Sequence, residues 1–451
     1  MQQIPFAISS TVSRNKKANS EELINLYADN MTPTSKNQVT LIGTPGLKLL
    51  ATLPTNPILG SHVFNQEFYV VTSTKLYKVN QFGGYAELGD VDFYDKVSIA
   101  DNGKTMIMVQ DKAYYYDNVS VQRITDPDYY PSSSVDFMDG YYVLVRDDTK
   151  QFFISRLYSI EFDGLDFASV EGSPDNLLGL LRDHEELWLF KERSTEIWYN
   201  SGAADFPFIK NSGAFIEIGC LDKNSIQKIN NTVFWVGDDK IVYGALGSQP
   251  QRISTSGIEY ELAKQSASIS SFTYNEEGHY FYCLILPTKT LCFDTKTGLW
   301  HTRKSIDRRW IISGAENVYG SIFGYDEGSN IYRISLDYYD EEEVPITREA
   351  ITAPLTRNVN RNTLYRYQLD METGETKIID NPEIYLQYSD DGAKTWSNLK
   401  RATIGTIGNY KTRAIWRRLG SFRDRTIKIT IREAVPMHII ASFADIKPWR
   451  N

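Results

Sequence analysis

The apolar positions of this chain fall into paired short runs, each pair split by a polar turn. The pairs are FYVV-TST-KLYKV (68–79), TMIMV-QD-KAYYYD (105–117), GYYVLV-RDDTK-QFFIS (140–155), ELWLF-KERS-TEIWY (186–199), TVFWV-GDD-KIVYGA (232–245), YFYCLIL-PTK-TLCFD (280–294) and SIFGYDEGSNIYRIS (321–335). Each run is rich in aromatic and β-branched residues, and the breaks carry Gly, Asp, Asn or Pro, so each pair predicts a β-hairpin. Their starts are spaced 37, 35, 46, 46, 48 and 41 residues apart. Four-stranded propeller blades repeat every ~40–45 residues, close to this beat. A lone hairpin cannot bury its own apolar face, whereas radial packing covers both faces and leaves few open edges. A two-sheet sandwich would also use such strands, but nothing in it would impose so long a period. The pattern predicts an all-β protein built around a β-propeller of six or seven blades.

Helical signal is sparse. SEEL (20–23) has the look of a cap and an acidic first turn, and GIEYELAKQSAS (257–268) is the other candidate. Around Asp337 the pattern changes: an acidic run, Asp340 to Glu343, precedes Pro345, and new strand-like runs follow (TLYRYQLDM, EIYLQYS, AIWRRLGSF, TIKITIREA, HIIASFADI). This predicts four regions. Residues 1–45 form an N-terminal segment with strands packing on the body, and 46–336 form the propeller. Residues 337–348 form a solvated acidic linker, and 349–451 a smaller C-terminal β-domain.

Composition adds charge asymmetry. The formal charge is −9. From Ser397 onward there are 12 Lys/Arg against Asp424, Glu433 and Asp445, a balance of +9, which leaves −18 on the first 396 residues. A body so acidic argues against a general DNA-coating role, since neutralising phosphates takes clustered basic side chains. Cys220, Cys283 and Cys292 are an odd number without C-x-x-C spacing, which predicts neither structural zinc nor a disulfide framework and fits free thiols in a reducing cytoplasm. The N-terminus lacks the pattern of a signal peptide, and no apolar stretch approaches the ~18 residues of a membrane span.

Candidate chemistry is thin. YSDDGAKTWS (388–397) places Ser389, Asp391, Gly392, Thr395 and Trp396 at the spacing of an Asp-box, the turn best known from sialidases. In that turn Ser389 and Asp391 bond the backbone, Gly392 accepts positive φ and Trp396 packs beneath; none of these jobs supplies an acid, base or nucleophile. Ala393 stands where a second glycine is common, and the box occurs once. FDTKTGLWHTR (293–303) resembles a kelch-type turn, with Asp294 and Thr297 closing it, Gly298 allowing it and Trp300 packing between blades. The five histidines are scattered, and neighbouring Asp183, His184, Glu185 and Glu186 point to alternate faces of a strand, so no metal or cofactor is expected. Lys411, Arg413, Arg417, Arg418, Arg423 and Arg425 crowd one short stretch. They read either as a face for an acidic partner or neighbouring subunit, or as a solvated sheet face.

INLYADN (24–30), GTPGLK (43–48), the hairpin series and the ending YSDDGAKTWS…RRLGSFRDRTIKITI together resemble one family. It comprises the packaged-DNA stabilisation proteins of short-tailed phages related to P22, which form the tail hub or nozzle. The matching segments run from about residue 5 to residue 445. The resemblance implies a non-enzymatic virion protein, assembled in the host cytoplasm into a homo-oligomer, a hexamer, beneath the portal and head-to-tail adaptor. It implies contact with a tail needle or plug and with tailspikes or fibres, and duplex DNA passing without specific binding. A propeller joined to a smaller β-domain is also what the resemblance implies. The competing reading, resting on the Asp-box, is a propeller that binds or hydrolyses glycans; such an enzyme would need paired carboxylates in a groove.

Overall fold

The computed structural model describes residues 1–265, 268–355, 360–374 and 381–448. Each predicted hairpin is the middle pair of strands of a four-stranded antiparallel sheet. Blade one, for example, runs Ile58–Phe64, Glu67–Thr72, Lys75–Val79 and Tyr85–Asp90. Six blades are built from consecutive strands: residues 58–90, 98–123, 135–169, 177–216, 227–252 and 270–305. A seventh takes three strands from residues 314–335 and is closed by Gly46–Thr52 from the other end of the chain, in register Arg333↔Lys48. The first strand of each blade adjoins the first strand of the next, and blade seven returns to blade one.

Packing explains the count. Seven apolar clusters occur among the described propeller residues, one at each junction between neighbouring blades. Trp188, Phe190 and Trp235 fill the junction of blades four and five, and Phe234, Tyr282 and Trp300 that of five and six. Phe68 and Phe323 join blade one to blade seven, and Leu50 and Ala51 of the closing strand pack against the same cluster, so that strand completes the ring by burial as well as by hydrogen bonds. Aromatic side chains suit these wedge-shaped gaps, since each buries a large area with few rotatable bonds.

The C-terminal domain is a sandwich of two sheets, and the chain's first strands belong to it. One sheet runs Leu26–Asn30, Val39–Gly43, His438–Pro448, Asn362–Met371, Ala414–Arg417, with Gln2–Ile4 also paired to His438–Pro448. The other runs Glu22–Ile24, Arg348–Ile351, Thr426–Ile431, Glu383–Ser389, Lys400–Thr403. Their shared core is mostly aliphatic, with Leu364, Leu369, Ile384, Leu386, Ile427 and Ile429 fully buried or nearly so.

The two domains share a sheet. Ile24 pairs in parallel with Thr302 of blade six, and the same short strand pairs antiparallel with Arg348–Ile351. Asn25, at φ 55°, staples this seam: its Nδ2 donates to the carbonyls of Lys304 and Thr347, both at 2.9 Å, and its Oδ1 accepts from Lys304 N at 3.0 Å. Asp29 adds a second staple from the sandwich to blade six, meeting Lys296 Nζ at 2.9 Å and the buried His279 Nε2 at 3.2 Å.

Three sequence expectations change. SEEL carries no helix; Glu22–Ile24 is the bridging strand, because its backbone groups are claimed on both sides by sheet partners. The N-terminal segment does not merely pack on the body, since its strands are structural members of both sandwich sheets. The acidic run is not a free solvated linker: Asp340–Glu341 and Val344–Pro345 form a small hairpin that extends blade seven through Glu341↔Leu47. The other helical candidate, 257–268, does form in its first part, as Ser256–Ala263 capped by Thr255; positions 266–267 lie outside the described residues.

Candidate functional site

The Asp-box turn is closed on itself. Asp391 Oδ1 accepts from Ser389 Oγ at 2.7 Å and from the Lys394 and Thr395 amides at 3.0 Å, and its Oδ2 accepts from Thr395 Oγ1 at 2.6 Å. Ser389 Oγ in turn accepts from Ala393 N at 2.9 Å. These bonds hold the Asp391 carboxyl well below the usual range, the Thr395 hydroxyl contributing most. Gly392 and Ala393 both sit at positive φ, 79° and 59°, and a Cβ on Gly392 would meet Lys17 of the N-terminal segment. Trp396 departs from the buried role expected of it. It is half-buried, with Lys428 Nζ 4.6 Å from its ring centroid. The carboxylate is spent on its own turn, so this motif pins a hairpin.

The kelch-like turn behaves as its residues predict. Thr297 Oγ1 donates to Asp294 Oδ2 at 2.8 Å, Gly298 has φ 71°, and the buried Trp300 donates Nε1–H to the Ile253 carbonyl of blade five at 2.9 Å. His279 and Asp294 belong to the same buried turn, joined at 2.8 Å. The remaining histidines stand apart, and among the described residues no three His, Cys, Asp or Glu side chains converge as a metal site. Cys283 and Cys292 face each other across two strands of blade six, with Sγ atoms 3.0 Å apart, and Cys220 is buried elsewhere; all three are free thiols.

The propeller axis encloses a cavity of about 400 Å³, lined from every blade. Spread along strands of roughly 17 Å, that volume leaves a bore of a few Å, while the major groove of a duplex alone is about 12 Å wide. Duplex DNA therefore does not thread the propeller of a single chain. The lining mixes Ile99, Leu180 and Ile226 with polar groups. Glu316 accepts from Ser61 Oγ at 3.1 Å, and burial pushes its carboxyl up to about 7. Asp136 is likewise raised by burial, although it accepts from the Arg182 amide at 2.6 Å. Lys96, also in the lining, is lowered to about 8 by the same cause.

The basic stretch divides. Lys411, Arg413, Arg417, Arg418 and Arg423 are exposed at the far edge of the sandwich, and among the described residues none forms an ion pair. Arg425 is different, being 1% exposed. It grips Asp390 through Nε at 2.7 Å and Nη2 at 2.6 Å, and its guanidinium carbon lies 3.9 Å from the Tyr388 ring centroid. A planar fork so matched is a packing element of the sandwich rather than part of a contact face.

Comparison with known proteins then decides the family. A family model described as "Bacteriophage P22 Gp10, beta-propeller" matches residues 2–326, and one described as "Bacteriophage P22 Gp10, beta-sandwich" matches residues 347–447. The chain belongs to the bacteriophage P22 Gp10 family. It is therefore a relative of a packaged-DNA stabilisation protein, a structural protein of a phage tail, and both domains of that family are present. No curated protein matches the chain. Several solved structures are similar to part of the chain. The Cps50 (Swd1) β-propeller domain of Myceliophteria thermophila is 8% identical, covers 64% of this chain and 100% of that one, and has a TM-score of 0.45. YCF48 from Cyanidioschyzon merolae is 10% identical, covering 65% and 99% at TM-score 0.42. BamB from Moraxella catarrhalis is 6% identical, covering 64% and 99% at 0.39.

The sequence missed the Asn25 staple and the axial carboxylates. Asp136 and Glu316 stand on short inner strands, Val135–Met138 and Gly314–Val318, and only ring closure brings them to one cavity. A signal for Asn25 existed in its place just ahead of LYADN, since Asn is among the few residues that adopt positive φ readily.

Proposed function

We propose that this chain is a hub or nozzle component of a short-tailed phage tail. Six copies form a ring below the portal and head-to-tail adaptor, prolong the DNA channel and help hold packaged DNA until ejection, with the tail needle and the tailspikes or fibres as neighbours. The observation that carries this reading is the match of both family domains, in family order, along nearly the whole chain. Two physical features support it. The seam between propeller and sandwich is a continuous sheet, which suits a wall element under load. The propeller bore is too narrow for a duplex, so a DNA lumen has to be enclosed among copies. The −18 on the first 396 residues lets such a lumen repel phosphate instead of gripping it.

The test is reconstitution. Purified protein is mixed with its portal–adaptor complex, and mass is followed by light scattering and particle imaging. A six-fold ring seated on the adaptor is the expected result. A protein that ignores the adaptor overturns the reading, and a lumen lined with Lys and Arg overturns the acidic wall.

A further inference from the structure

A cleft of about 610 Å³ lies where blade six, the Asp340–Pro345 hairpin and the bridging strand meet. Its apolar part includes Ile306 and Val344, which are 58% and 40% exposed. Asp307, Glu341, Glu342 and Glu349 make its lining acidic, outnumbering Lys304 and Arg308. Glu341 Oε1 is buried there without a hydrogen-bond partner. The cleft thus offers apolar side chains and a surplus of carboxylate to something apolar and basic.

This chain carries such an element. The loop between Lys400–Thr403 and Ala414–Arg417 exposes Ile407 (56%) and Tyr410 (64%) beside Lys411 and Arg413, with Arg417, Arg418 and Arg423 flanking it. Its shape is set in advance. Asn409 Nδ2 donates to Thr406 Oγ1 at 2.7 Å, and Gly408 N donates to the Gly374 carbonyl at 3.1 Å. Thr373 Oγ1 also reaches the Thr412 carbonyl at 3.3 Å. A preformed loop loses little freedom on docking.

Within one copy the two surfaces cannot meet. Glu22–Ile24, at the cleft, and Lys400–Thr403, at the root of the loop, are separated by three intervening strands of the same sheet. At ~4.8 Å per step, that is roughly 19 Å. Two different, complementary patches set apart on one copy make a heterologous, head-to-tail contact, which generates rings when its rotation closes.

We infer that the 404–413 loop of one copy docks in the blade-six cleft of the next, with Ile407 and Tyr410 against Ile306 and Val344 and the basic strip against the cleft carboxylates. The inference rests on the ring reading above and names the surfaces that build the ring.

Full-length Ile306→Cys/Ile407→Cys tests it, because the native cysteines are buried. Under mild diamide oxidation at the highest soluble concentration, the double variant gives a ladder of linked species beyond the dimer, and each single variant stops at the dimer. Glu342→Lys or Arg413→Glu, each added to the double variant, reduces the ladder at least tenfold, and both together restore it. Circular dichroism confirms that every variant is folded. A double variant that links no further than the single ones, or a charge swap that fails to restore linkage, overturns the inference. Wild-type rings seen by light scattering without the cysteine ladder would leave the ring reading standing and remove only this interface. A cleft that links instead to a tail partner in assembled particles would overturn it too.

Discussion

The propeller and the sandwich solve the same burial problem by opposite routes. Six of the seven propeller blades each draw on one stretch of chain, and their apolar faces are covered by the neighbouring blades through aromatic wedges such as Trp188 and Trp235. The sandwich draws on the two ends of the chain. Gln2 pairs with Ala444, Leu41 with Ile439, and Ala350 with both Leu23 and Ile429. Its core is aliphatic and uses buried cations, Arg348 and Arg425, as packing elements. Propeller pairing is therefore mostly local, whereas the sandwich and the seventh blade wait for residues hundreds of positions apart. Such long-range closure is slow to form and couples the two domains once it has formed.

The strongest way to break this contrast is to remove residues 1–52. That deletion takes strands from both sandwich sheets and the closing strand of blade seven. The expected outcome is loss of the cooperative thermal transition, because the loss exceeds the ~5–15 kcal/mol by which a domain is stable. A folded, cooperative 53–451 fragment would show that the N-terminal strands decorate the fold instead of completing it.

Next in size is the seam. Asn25→Ala removes three hydrogen bonds and places alanine at φ 55°. It should cost about 2–4 kcal/mol in urea unfolding. If the shared sheet couples the domains, the whole transition moves to lower urea. A separate early sandwich transition would mean that the domains unfold independently.

A pH series sharpens the contrast further. Glu316 and Glu276 of the propeller are raised to about 7 by burial, so the native state holds their protons from about pH 4.5 to 7. Ionising them is penalised only when folded, so stability falls as pH rises through that window and then levels. Glu316→Gln should flatten part of this slope, by about 1–2 kcal/mol after allowing for the open mouth of the axial cavity. Asp391 of the sandwich works in the other sense. Its depressed pKa stabilises above the ordinary aspartate range, and that contribution is lost as pH falls below it. A wild-type and Asp391→Asn pair that lose stability in parallel in acid would count against this role.

The smallest expected effect is at the Asp-box. Ala393→Gly relieves a positive φ in the turn but gives the unfolded chain more freedom, for a net gain of about 0.5 kcal/mol. A clear loss by calorimetry would mean that the Ala393 methyl packs usefully.

Local pattern made the propeller legible. All seven hairpins reappear as the second and third strands of a blade, because these strands are buried on both faces and read as unbroken aromatic and β-branched runs. Their partners are harder to read: Tyr85–Asp90 is mostly exposed, and Gln249–Arg252 holds a single apolar residue, Pro250. The kelch-like and Asp-box turns were legible for the same reason, since their bonds close within a few residues. The acidic run and SEEL were misread because their conformations are dictated by distant partners, Leu47 in one case and Thr302 and Ala350 in the other. The basic strip was visible as composition, but its division was not, because only Asp390 and Tyr388 turn Arg425 inward.

By itself the sequence determined that this chain is all-β, that its larger part repeats as blades, and that charge is divided between an acidic body and a basic end. Those properties follow from side-chain period, turn chemistry and counting, which are local. Only the tertiary structure decided that the ring closes at seven blades with Gly46–Thr52, that both chain ends build the sandwich, and that cleft and basic loop lie apart on one copy. Each of these depends on pairing between residues far apart in the chain, which the burial of a shared core selects and no local pattern encodes.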